Sequence, residues 1–274
     1  MIETLVSDMY RYLDGQGDAS PFSRLDFTEA LKNVHTKAQT QKERSPKTLY
    51  FSELGDPCPR KLNYRVNSPD LAEKLEPNTR LKFFYGDILE GLLLSLAEAS
   101  GHHVSNQQGR ATLDLADGWK VTGRIDAEID GVLVDVKSTT KFGEEKFKGG
   151  LVDDPFGYKM QLGGYAVALE RKEAGFLTIQ KELGHLGYYP IKVDKGAVME
   201  GAAKAVEAVT GNIDSLPRIA PVAQSKTSKN TKLDTTCSYC PYKKKCYPEA
   251  RTFLYSTGPV FLIDVVDTPR VDEI

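Results

Sequence analysis

Apolar residues recur along this chain at two spacings, and the change between them sets out its elements. In residues 1 to 40 the spacing is helical. Ile2, Leu5, Met9 and Leu13 form one stripe and Phe27, Leu31 and Val34 another, parted by the turn-rich Gly15-Gln16-Gly17-Asp18. A charged stretch, residues 41–47, reads as a linker, and the residues up to 47 as a helical N-terminal extension. Residues 79–100 predict a long helix, capped by Thr79 and stopped by Gly101. Strands are expected at 104–108, 111–115, 119–129 and 132–138, with a loop at 141–148. Asp154 as cap and Pro155 in the first turn open a helix running to about residue 172. Strands at 176–180 and 186–193, a helix at 195–214 and a polar loop at 217–236 follow. An apolar run at 260–266 and an acidic end close the chain, suited to an edge strand or a partner contact.

Within this pattern, Asp130-Gly131 stands between apolar runs, the strongest short signal for a two-residue hairpin turn. With that turn in place, Ile129 pairs with Val132, Glu128 with Leu133 and Ala127 with Val134. Asp126 then faces Asp135 on the same side of the sheet, Cβ atoms roughly 5 Å apart. Strand alternation brings Lys137 to that side and turns Val132, Val134 and Val136 to the other, into a core. Opposed carboxylates repel unless a cation such as Mg²⁺ lies between them, and the lysine beside them is placed to orient a water. A polar sheet edge, with Lys137 neutralising two solvated aspartates, has the same pattern.

The 79–100 helix carries Glu90 among Leu89, Leu93 and Leu94, with Gly86 one turn earlier allowing close approach. A glutamate there either turns to water beside Asp87 or needs a cation. Gln161 and Tyr165 share one face of a later helix at i and i+4, with Gly164 beside them. The segment after Pro57-Cys58-Pro59 reads as a basic amphipathic helix, where Arg60, Lys61 and Tyr64 offer phosphate and base contacts. A solvated helix face has the same composition. Arg124, beside Gly123 and Asp126, is a further nucleic-acid candidate.

At 274 residues, 40% hydrophobic, the chain has enough apolar material for one large or two small units. A formal charge of −2 excludes an overall basic surface, so a nucleic-acid binder needs a local positive groove. No signal-like start or bilayer-length run is present, which predicts a cytoplasmic chain without a membrane partner. The four cysteines are Cys58, Cys237, Cys240 and Cys246, the last three in a C-x₂-C-x₅-C cluster. Four thiolates suit Zn²⁺ or an iron–sulfur cluster, and spacing alone does not separate the two.

Gly86-x₃-Glu90, Gly123-x₂-Asp126, Asp135-x-Lys137, Gln161-x₃-Tyr165 and one cysteine far upstream of three, in this order, resemble the PD-(D/E)XK nuclease superfamily. The resemblance is to its RecB-type branch, which includes CRISPR-adaptation nucleases, and it spans residues 52 to 246. It implies an α/β fold, a restriction-endonuclease-like core with a mixed central β-sheet flanked by helices and a cysteine-ligated cluster subdomain. It further implies a nuclease domain at 48–250, followed by a C-terminal strand and acidic tail at 251–274. Glu90, Asp126, Asp135 and the Val136 carbonyl would be ligands for Mg²⁺ or Mn²⁺. Lys137 would orient or activate water, and Gln161 and Tyr165 would support the site or the DNA. The four cysteines would hold a [4Fe–4S] cluster. Many members of the branch carry histidine at the position of Glu90. The activity implied is metal-dependent hydrolysis of DNA, exonucleolytic, with a protein partner for the N-terminal extension or acidic tail. A DNA-binding module without turnover and a structure-specific endonuclease are the competing readings.

Overall fold

The computed structural model describes residues 1–16, 44–74 and 77–274. The expected stripe of Phe27, Leu31 and Val34 lies outside them. In chain order come helix α1 (Leu5–Leu13), strand β1 (Thr48–Tyr50), α2 (Pro59–Asn67), α3 (Pro77–Ala99), β2 (Val104–Ser105), β3 (Arg110–Asp114) and β4 (Lys120–Arg124). Then follow β5 (Ala127–Ile129), β6 (Val132–Thr139), α4 (Lys141–Lys148), α5 (Tyr158–Ala168), β7 (Glu173–Gln180), β8 (His185–Lys192) and α6 (Lys195–Thr210). The last elements are β9 (Val222–Ala223), β10 (Thr231–Lys232), the one-turn helices α7 (Thr235–Ser238) and α8 (Lys243–Cys246), β11 (Arg251–Tyr255) and β12 (Gly258–Leu262). They form two compact units: Met1–Gly55 with Glu76–Ala203, and Asp56–Leu75 with Lys204–Ile274.

The first unit holds a five-stranded mixed sheet, β2-β5-β6-β7-β8, and a three-stranded sheet, β1-β4-β3. Only β6 and β7 run parallel in the larger sheet. A parallel pair needs a long crossover, and α4 and α5 lie within it. Val132, Val134 and Val136 face a core shared with Leu93, Leu94 and Ala97 of α3 and Leu5 and Met9 of α1. Strand alternation places Leu133, Asp135 and Lys137 on the opposite side. There Phe176 of β7, in register with Asp135, meets Phe147 of α4 with ring centroids 5.3 Å apart.

Several elements differ from the pattern-based expectation. The strand expected at 119–129 breaks at Ile125–Asp126, so β4 joins the smaller sheet and β5 the larger. The one expected at 104–108 ends at Ser105 because Asn106 and Gln108 take positive φ, 50° and 55°. Residues 141–148 form a helix instead of a loop. Thr140 caps it, its Oγ1 accepting from the Gly143 N–H at 3.2 Å, and Glu144 and Phe147 turn inward. The helix expected from Pro155 begins at Tyr158 and ends at Ala168. Gly157, at φ 69°, is its N-terminal flank, and Asp154 reaches in from farther upstream to accept the Lys159 N–H at 2.9 Å. Gly86 faces open space, so no close approach occurs there.

The second unit carries a four-stranded sheet, β11-β12-β10-β9. Its β12 covers part of the apolar run expected at an edge, yet lies between β11 and β10. The acidic end is tied back along β11: Glu273 bridges to Phe253 and forms an ion pair with Arg251 at 2.6 Å. Asn63 of α2 donates to the carbonyls of Ala208 and Gly211, so a segment 145 residues upstream of Ala208 is sewn into this unit. Among the described residues no helix is long and apolar enough to cross a membrane.

Candidate active site

The site begins with a turn. Asp130 and Gly131 both take positive φ, 52° and 81°, as a two-residue hairpin with right-handed strand twist requires. The register is the expected one: Ala127 opposite Val134, Glu128 opposite Leu133, Ile129 opposite Val132. The ladder stops there. Asp126 is not a strand partner of Asp135, because the chain turns toward β4 at this residue. Its side chain replaces the missing strand, and the Val136 N–H donates to Asp126 Oδ2 over 2.7 Å. A strand residue directs its N–H and C=O to the same neighbour, so the Val136 carbonyl faces the same gap.

Asp135 is buried, and its Oδ2 forms an ion pair with Lys137. Lys137 Nζ also lies 5.1 Å from the centre of the Tyr158 ring, within cation–π range. Burial works to lower the Lys137 pKa, but the charges of Asp135 and Asp126 outweigh it and hold the ammonium protonated beyond its usual range. Asp126 moves the other way for an acid. Burial first, then Asp135 and Glu90, push its carboxyl well above the usual carboxylate range. Glu90 therefore belongs to the same electrostatic cluster, brought in by α3. Gln108 holds it, donating from Nε2 to Glu90 Oε1 at 2.7 Å.

Among the described residues no three histidine, cysteine, aspartate or glutamate side chains lie close enough together to hold one metal ion. Each acid in the cluster has a partner inside the chain instead: Val136 for Asp126, Lys137 for Asp135, Gln108 for Glu90. The donor chemistry is still that of a hard-cation site, with three carboxylates and a carbonyl all offering oxygen.

Tyr165 and Gln161 come from α5 and hydrogen-bond to each other, and burial pushes the Tyr165 hydroxyl up to about 12. Asp135, Asp126 and Lys137 all act on that hydroxyl electrostatically. Gly123 makes room for it, since a Cβ there would fall 2.6 Å from the Tyr165 oxygen. Gly164 does the same for Phe51, whose ring stands 4.6 Å from that of Tyr165. Arg124 is exposed and lies opposite the exposed Arg110 in the β3–β4 pair. Sequence reasoning missed three residues here: Gln108, Tyr158 and Arg110. Only Tyr158 left a trace, one helical turn before Gln161.

The remaining nucleic-acid candidates lie in the second unit and are taken up by its packing. Arg60 is buried and donates to the Leu216 carbonyl at 3.3 Å. Lys61 pairs with Asp56 at 2.7 Å, and Tyr64 stacks on Tyr242 at 5.4 Å. Cys58, Cys237, Cys240 and Cys246 line one pocket of this unit with Arg60, Lys61 and Arg218. All four are free thiols. Burial raises each thiol pKa, most at Cys237, which reaches about 12 with Cys58 and Cys240 adding to the shift.

Comparison with known proteins adds the family. No curated protein matches the sequence. Among solved structures, the chain is similar to the crystal structure of SSO0001, at TM-score 0.49 and 18% identity over 78% of this chain and 93% of that one. It is also similar to an alkaline exonuclease, LHK-Exo, from Laribacter hongkongensis, at TM-score 0.35 and 13% identity over 58% and 88% of the two chains. The same enzyme in complex with dAMP aligns at TM-score 0.38 and 13% identity over 58% and 89%. The family model of the PD-(D/E)XK nucleases matches residues 30–247, most of the sequence and every residue of the acidic cluster. The chain belongs to the PD-(D/E)XK nuclease superfamily.

Proposed function

We propose that this protein is a metal-dependent DNA nuclease that hydrolyses phosphodiester bonds as an exonuclease. The observation carrying the proposal is the partly buried meeting of Asp126, Asp135 and Lys137, with Glu90 coupled to it, in a chain of this superfamily. Asp126, Asp135, Glu90 and the Val136 carbonyl would hold Mg²⁺ or Mn²⁺. When bound, such cations lower the pKa of water and neutralise charge on a phosphoryl group. Lys137, kept protonated by its carboxylate neighbours, holds positive charge against the attacked phosphate and orients the water. Gln108 fixes the Glu90 rotamer, and Tyr165 and Gln161 wall the site on the α5 side. Exposed Arg110 and Arg124 would meet the phosphate backbone.

We further propose that the four cysteines hold a [4Fe–4S] cluster. Four thiols around one pocket, three of them buried, support this. Protein purified without oxygen would be brown, with charge-transfer absorbance and four irons per cluster. Colourless protein with stoichiometric zinc would select the other ligand.

The test of the nuclease is cleavage of end-labelled linear DNA and closed-circular single-stranded DNA in Mg²⁺ or Mn²⁺, with EDTA as control. An exonuclease digests the linear strand and spares the circle. Asp135→Asn should lose activity by at least about 10²-fold while keeping its circular dichroism spectrum. Normal cleavage by Asp135→Asn would sink the assignment. The internal partner of each acid favours one second reading, a DNA-binding module without turnover. It would bind DNA and cut neither substrate.

A further inference from the structure

An aromatic ladder leads from the candidate catalytic lysine to solvent. Lys137 Nζ lies over the Tyr158 ring, and Tyr158 stacks on Phe156 with centroids 5.5 Å apart and planes 28° from parallel. Phe156 ends the ladder 57% exposed. A phenylalanine packed on one face and bare on the other has an unoccupied site for a flat apolar surface.

Its position is fixed by the residue after it. Gly157 takes φ 69°, and its backbone lies against Gly55 so closely that neither position has room for a Cβ. Asp154 binds the loop from the other side, its carbonyl accepting the Gly157 N–H at 3.2 Å and its carboxylate the Lys159 N–H. The exposed ring therefore sits on a braced turn at the start of α5.

We propose that Phe156 is a base-stacking platform that receives a nucleobase of the substrate strand near the scissile phosphate. The proposal rests on the nuclease reading above, and names how the substrate strand is gripped. Two observations choose a base over an apolar protein segment. The ladder is continuous with Lys137, so whatever covers Phe156 lies two stacked rings from the group that faces the phosphate. Bases stack on aromatic faces whatever their sequence, and Phe156 offers such a face to solvent.

The experiment places 2-aminopurine at successive positions of a DNA strand and binds it to Asp135→Asn protein in Mg²⁺. Stacking quenches the probe. Quenching at one position is expected with Phe156 and with Phe156→Tyr, and its loss with Phe156→Ala and with Phe156→Leu, which keeps bulk but not the π face. Affinity should fall about 5- to 150-fold in the alanine variant, and an abasic nucleotide at the quenched position should abolish that difference. Equal quenching and affinity in all four proteins would overturn the platform and leave Phe156 as a protein-facing residue. Cleavage by wild-type protein keeps that outcome separate from failure of the nuclease reading. A wild-type protein that neither cuts nor binds DNA overturns both.

Discussion

The backbone N–H of Val136 donates to the side chain of Asp126, not to a neighbouring strand. This one bond lets the chain leave β5 for the smaller sheet without stranding a buried donor. It also holds a carboxylate beside Asp135 that repulsion would otherwise drive away. The strand break and the acidic cluster have the same cause.

The first consequence concerns pH. The folded protein keeps a proton on Asp126 to higher pH than the unfolded chain does, because burial, Asp135 and Glu90 oppose its charge. Its contribution to stability is therefore fully present below the ordinary aspartate range of about 4, and is lost as pH rises through the elevated folded value. Asp126→Asn keeps an acceptor for Val136 and removes the charge. In metal-free protein near pH 7 it should raise Tm by about 2–4 °C, the shift of roughly 1 kcal/mol in a chain of this size. The gain should vanish below pH 4. Added Mg²⁺ should raise the Tm of the wild type and not of the variant. Calorimetry across pH checks each part.

Gln108 acts through Glu90, as a positioning residue. Gln108→Leu should leave the fold intact and weaken metal affinity by about 10- to 100-fold, the usual cost of losing the partner of a ligand. Activity against Mg²⁺ concentration should shift rightward, with much of the rate recovered at saturation. A lowered plateau at unchanged half-saturation would contradict this role.

Gly123 is required by Tyr165. An alanine there would crowd the Tyr165 oxygen and Cε1, both under 3 Å from the new Cβ. Overpacking of this kind costs about 1–3 kcal/mol, which urea denaturation of Gly123→Ala would measure. Combined with Tyr165→Leu, the same substitution should cost measurably less, because the crowded atoms are gone.

The buried cysteines are neutral when unligated, since burial lifts their thiols, Cys237 to about 12. Binding of iron or zinc must displace those protons. Affinity should therefore rise between pH 6.5 and 8.5, and reconstitution in weak buffer should acidify the solution. Cys237→Ser should abolish incorporation. Retention of full metal content by that variant would refute a four-cysteine site.

Local pattern made the hairpin readable to the residue, because Asp130-Gly131 admits few turns and alternation then sets which side chains share a face. The helix at 141–148 was not readable, since its charged residues mask an inward face whose partners lie on the sheet, β7 and β8 among them. Glu144 is buried because Thr178 and Tyr189 lie there to hydrogen-bond it, at 3.1 and 2.5 Å.

The sequence by itself determined the family, the order of the acidic and lysine motifs, and the register of the hairpin whose second strand carries Asp135 and Lys137. These depend on residues near one another along the chain, where backbone preference and alternation act directly. Tertiary structure alone decided that Asp126 leaves the ladder to accept from Val136, that Gln108 holds Glu90, and that Phe156 ends a stack begun at Lys137. Each of those contacts joins separate elements through the packing of sheets and helices, and no local periodicity records them.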